Sequence, residues 1–86
     1  MKRMKLLQVF EVDGITPKHR SSRWNYDHMQ GKLFRELKPT RVGDHMMLFP
    51  EGEYEPILTT TVQAIDIEGI DMRVLTRNSI YHFELS

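Results

Sequence analysis

The chain has no cysteine. That removes a disulfide framework, a thiolate nucleophile and any mixed histidine–thiolate metal site, and it fits a reducing compartment. Long hydrophobic runs are absent too. After Lys2, Arg3 and Lys5 the N-terminal stretch offers only Leu6-Leu7 and Val9-Phe10, broken by Gln8 and ended by Glu11. Such a stretch is too short and too polar for a secretory signal or a membrane span, so a soluble cytoplasmic protein with no membrane partner is expected. Glycine is sparse, with five residues scattered at turn positions and none grouped into a phosphate-binding loop.

Net charge is the last thing missing, at +0 at pH 7. The balance hides a polarity: residues 1–45 hold ten Lys/Arg and five Asp/Glu, whereas residues 46–86 hold two and seven, giving halves of +5 and −5. Either the halves pack together and neutralise each other, or a basic face meets phosphate or an acidic partner. At 86 residues the chain is one domain, 1–86. A chain of that size buries only about 60–70% of its unfolded surface, which leaves little room for a large cleft.

The most legible stretch is Pro56 to Leu85, which reads as a three-stranded antiparallel meander. Asn78-Ser79 suits a two-residue turn, setting Thr76 against Tyr81, Val74 against Phe83 and Met72 against Leu85. Asp66-Ile67-Glu68-Gly69 suits a type I turn with a glycine bulge, setting Ala64 against Met72 and Val62 against Val74. A two-residue Glu68-Gly69 turn is the alternative, and it requires a bulge near Gln63. One face is then apolar. The other is mixed, pairing Arg73 with Glu84 and Leu75 with His82 and also carrying Ile65, so Arg73, Leu75, His82 and Glu84 form a candidate second surface that the N-terminal segment or a partner must cover.

Upstream, Met4 to Val12 reads as a strand apolar on both faces, followed by a tight turn at Asp13-Gly14 and only a short return because Pro17 lacks an amide donor. Residues 16–26 mix cations with rings. Lys18, His19, Arg20 and Arg23 lie beside Trp24 and Tyr26, a combination able to neutralise phosphates and stack bases, while Trp24 alone reads as a core-edge plug. Asp27 to Lys38 reads as the one helix, capped by Asp27 with Gln30 three residues on, covering the sheet with Met29, Leu33 and Leu37 and stopped by Pro39. Gly31 weighs against it by about 1 kcal/mol relative to Ala. Lys32 and Arg35 would extend the cationic surface.

His45 to Phe49 forms the next strand, entered through Val42-Gly43-Asp44 and left through the acidic loop between Pro50 and Pro56. The V-G-D entry resembles the approach to the first long strand of SH3-like barrels. The ending Thr76-x-Asn78-Ser79-x-Tyr81 resembles the tails of small bacterial and phage-type β-rich proteins, a likeness that implies no activity. The fold class expected is mainly β (β-rich α+β): a small bent antiparallel sheet or SH3-like barrel of about five strands with one short helix, an OB-like barrel being the rival.

No pattern specifies a reaction. His19, His28, His45 and His82 lack metal-ligand spacing, the serines lack a nucleophile elbow, and no metal or cofactor is expected. The expectation is a non-enzymatic binding or adaptor module, with a protein partner or a second copy joined through a strand edge. Nucleic-acid binding through Lys18, His19, Arg20, Arg23, Trp24, Tyr26, Lys32 and Arg35 is the alternative, and a small nuclease using His19 or His28 is the third reading.

Overall fold

The computed structural model describes residues 3–21, 24–52 and 55–85. Six strands and one helical turn follow each other as β1 (Arg3–Phe10), α1 (Tyr26–Met29), β2 (Leu33–Glu36), β3 (His45–Pro50), β4 (Ile57–Glu68), β5 (Asp71–Thr76) and β6 (Ile80–Leu85). Every strand is antiparallel to its neighbour in sequence, and β1 pairs with β6 to close a barrel. The mainly β class and the single short helix are as expected, with six strands in place of about five. An OB-like barrel requires Greek-key connections. Here no connection crosses a strand.

Closure explains why β1 is apolar on both faces. Met4 and Leu6 point inward, the register slips between Leu6 and Gln8, and Val9 then points inward as well. One extra residue thus moves the buried series from even to odd positions. These three join Phe34, Met46, Leu48, Ile57, Val62, Met72, Val74 and Phe83 in one continuous core.

The meander is present with both registers displaced. Leu75 pairs with Ile80, Val74 with Tyr81, Arg73 with His82 and Met72 with Phe83, a shift of two residues from the expected pairing. Because side chains alternate with a period of two, a two-residue slip keeps the faces while changing every partner. Its cause lies in the loop. Thr76 and Ser79 are each 1% exposed, and the Thr76 hydroxyl accepts from Ser79 N and donates to Ser79 O, so the connection spans 76–79 rather than two residues. In the earlier hairpin Glu68 pairs with Asp71 around Gly69-Ile70, and the register shifts between Val62 and Ala64. The bulge near Gln63 is therefore real, although the turn lies one residue beyond Glu68-Gly69. Gly69 has φ +63, the glycine preference at the first position of a two-residue hairpin loop. Beyond that bulge Ile65 pairs with Val74 and Ala64 with Leu75, so Ile65 leaves the mixed outer face and Ala64 joins it.

The long helix is a correction. Only Tyr26–Met29 is helical, with Asn25 rather than Asp27 as N-cap, its side chain accepting from His28 N at 3.2 Å. Gly31 at φ +82 ends the turn and β2 begins two residues later. The four-residue spacing of Met29, Leu33 and Leu37 is misleading: Leu33 and Leu37 are exposed, while Phe34 between them is 1% exposed. Strand alternation at 33–36 decides the outcome.

Candidate functional site

A crevice opens at the end of the barrel where the 18–26 segment crosses the 76–79 loop. Its volume is about 390 Å³, and its walls include Lys18, Trp24, Tyr26, His45, Leu58, Thr60 and Tyr81. A second hollow of about 530 Å³ adjoins it, lined by Trp24, Glu55, Pro56 and Leu58. Trp24 and Leu58 therefore form a lip common to both. Leu58 is 45% exposed, and Trp24 is partly buried, packing against the core while lining both hollows.

The segment is held down by backbone bonds. Lys18 N donates to Val9 O at 2.8 Å, Tyr26 N to His19 O at 2.8 Å, and Ser21 N to Trp24 O at 2.8 Å. Phe10 bridges Pro17, the short return that proline allows. The Tyr26 ring meets Tyr81 edge to face at 6.1 Å. Burial first, and then its neighbour Tyr26, hold the Tyr81 hydroxyl well above the usual phenol range. Tyr81 is thus a neutral hydroxyl at the floor of the crevice, in contact with Ser79.

Lys18 supplies the cation. Its side chain is 14% exposed, and its nearest carboxylate is Glu11 Oε1 at 3.9 Å. The ammonium donates to Asn78 O at 3.1 Å and Ser79 Oγ at 2.9 Å. An ammonium has three donors, so one is left without a hydrogen-bond acceptor among the described residues. Thr60 Oγ1, on the same wall, is buried with no hydrogen-bond partner among the described residues. His45 Nδ1 lies 2.9 Å from Thr59 O. A carbonyl only accepts, so Nδ1 carries the proton and Nε2 of the neutral ring remains an acceptor.

The structure divides the cationic residues singled out in sequence. Lys18, Trp24 and Tyr26 line the crevice. His19 is turned to Asp27, with Nδ1 at 2.9 Å and 3.1 Å from its two carboxylate oxygens. Arg20 is exposed and bridges Asn25 through the backbone. Arg23 lies outside the described residues, as do Glu53 and Tyr54 of the acidic loop. Lys32 immediately precedes β2, and Arg35 is exposed within it opposite Arg3, away from the crevice lining. Sequence reading missed Leu58 and Thr60, whose strand alternation gave no sign that one end of the barrel would be recessed.

Arg73, Leu75, His82 and Glu84 share one outer face of β5 and β6, with cross-strand partners other than those expected. Arg73 faces His82 and Asp66 rather than Glu84, and Leu75 faces Ile80 and Ala64 rather than His82. Asp66, Glu68, Asp71, Arg73 and His82 line a shallow depression of about 290 Å³. His82 Nε2 lies 3.1 Å from Asp71 Oδ1, to which it must donate. Glu84 sits between Asp71 and Lys5. Part of the N-terminal half therefore covers the C-terminal half by joining its sheet rather than by lying over it. No group of three or more metal-ligating side chains occurs among the described residues, and no helix there is long and apolar enough to cross a membrane. No family model, curated protein or solved structure matches the chain.

Proposed function

We propose that this chain is a non-enzymatic binding module that holds an extended segment of a protein partner in the Trp24 crevice. One observation carries the reading: the apolar lip of Trp24 and Leu58 continues into a recess where Lys18, the one lysine or arginine among its described lining residues, stands 3.9 Å from the Glu11 carboxylate and has one donor without a hydrogen-bond acceptor among the described residues. An apolar side chain of the partner packs on the lip while an acidic side chain takes the remaining Lys18 donor. A charge-assisted bond to an ammonium whose side chain is only 14% exposed exceeds its worth on an open surface. The V-G-D entry to β3, with Gly43 at φ +93, supports an SH3-like reading of the barrel and with it presentation of an aromatic-walled surface rather than enclosure of a substrate.

Trp24 is the only tryptophan, so its fluorescence reports the crevice directly. The test titrates the full chain with extended peptides that place Asp or Glu beside Pro, Leu or Phe. A saturable change in Trp24 emission is expected, weakened about tenfold (1.4 kcal/mol) or more by Leu58→Glu, which sets a like charge at the lip. A response that Leu58→Glu leaves intact, or no response to any peptide, refutes the proposal.

A second reading has its own observation. Arg3 and Arg35 are cross-strand partners on the exposed outer wall of β1 and β2, with Arg3 3.9 Å from Glu51, and Lys5 lies two pairs along, opposite Glu84 of β6. Like charges set opposite each other cost stability; Glu51 offsets part of that cost at Arg3, and a nucleic-acid backbone along this wall would pair with Arg35 and Lys5 as well. That reading predicts affinity falling steeply with salt. No shift of labelled single-stranded RNA or DNA at low salt removes it.

A further inference from the structure

Closing the barrel still leaves stretches of β4 paired on one side only among the described residues, and one of them lies at its C-terminal end. β3 accompanies β4 only as far as the His45–Thr61 pair and the two bonds joining Val62 to Gly43 N and Asp44 O. From Gln63 to Glu68, β4 pairs with β5 alone among the described residues. Its other side is a free strand edge. The direction of each backbone group follows from the turn: Glu68 and Asp71 close a two-residue loop, so they exchange both hydrogen bonds, as do Asp66 with Arg73 and Ala64 with Leu75. The N–H and C=O groups of Ile65 and Ile67 consequently face away from β5.

Side chains around that edge are sorted by sign and polarity. Ile67 is 53% exposed and Ile70 is 58% exposed, because the hairpin projects beyond the barrel end. On the opposite face Asp66, Glu68 and Asp71 lie together, offset only by Arg73 and His82. A second copy of β4 is a poor occupant: antiparallel pairing centred on Ile67 sets Asp66 against Glu68 at both ends, and pairing centred on Asp66 sets Asp66 against itself. We infer that the free edge of β4 takes up, by strand addition, an extended segment of a partner protein in which basic and apolar side chains alternate. The basic residues face Asp66 and Glu68, the apolar ones extend the Ile67 side, and the main chain bonds to Ile65 and Ile67. This surface is independent of the Trp24 crevice.

Amide hydrogen exchange of the full chain tests it, the probe being a synthetic peptide of about ten residues alternating lysine and valine. Saturation is expected to slow exchange at Ile65 and Ile67 by about tenfold or more, with Ala64, Asp66 and Glu68 little changed because β5 already protects them. Ile67→Pro removes an outward donor without touching the β5 ladder and should abolish the protection. The double variant Asp66→Lys with Glu68→Lys, on exposed positions, should weaken binding about fivefold or more and serves as the test if the proline variant does not fold. Equal protection by a glutamate–valine peptide, absence of protection, or a dimer with those amides already protected before peptide is added would each overturn the inference.

Discussion

The two ends of β4 and β5 solve opposite problems. At the crevice end the chain turns back through Thr76 and Ser79, both fully buried, and apart from the Thr60 hydroxyl and one Lys18 donor the polar groups there are matched: Thr76 to Ser79, Lys18 to Asn78 and Ser79, and Tyr81 to Tyr26 and Ser79. At the hairpin end the strands outrun the barrel, apolar side chains meet water, and one edge loses its partner. Buried polar groups must be paired, so the first end is over-determined. The second is held by one ladder and a glycine turn, and is free to accept another strand.

Substitutions of matched size should separate the two ends. Tyr81→Ala removes a buried aromatic and should cost about 3–5 kcal/mol, whereas Ile67→Ala should cost about 0.5 kcal/mol or less. Urea denaturation measures both, and similar losses would mean that the tip is as tightly packed as the crevice floor. Thr76→Val strips the acceptor from the buried Ser79 amide and should cost about 1–3 kcal/mol, with Asp66→Asn at the other end close to neutral. A near-neutral Thr76→Val would remove the over-determination argued above. At the tip, Gly69→Ala should cost about 1 kcal/mol through its backbone alone, because an added Cβ meets nothing within 4 Å. A negligible change in thermal midpoint would show that the tip relaxes around the substitution.

The smallest effect is electrostatic. Asp13 stays ionised below the ordinary carboxylate range, chiefly because Thr16 donates its hydroxyl and amide to it, with Ile15 N adding a third bond. A depressed folded-state value means stability that is present at neutral pH and lost as the pH falls toward that value, starting near the unfolded pKa of about 4. Asp13→Asn should therefore flatten part of the acid limb of the stability profile while leaving hairpin-tip exchange unchanged. An unchanged acid limb would detach the Asp13 turn from the stability of the crevice end.

Much of the fold was legible because strand alternation and turn chemistry act over a few residues. The core positions Val62, Met72, Val74 and Phe83 follow from period-two patterning, and the bulge near Gln63 was required to rescue one of two candidate turns. Residues 33–36 misled because Met29, Leu33 and Leu37 mimic a helical stripe, and only pairing of Phe34 with Met4 and Pro50 overrides it. Of the site, Lys18, Trp24 and Tyr26 were visible as an unusual mixture of charge and rings. Leu58 and Thr60 were not, since nothing local distinguishes them from other strand residues.

The sequence by itself determined a small β-rich domain, its turn regions and the presence of a polar–aromatic segment, because these depend on local backbone preference and alternation. Tertiary structure alone decided which registers close, that β1 seals against β6, and that Lys18 reaches Asn78 and Ser79 some sixty residues away. It also left β4 with a free edge. Such outcomes depend on how far each strand runs relative to its neighbours, and strand overhang is set by closure of the whole barrel rather than by any one segment.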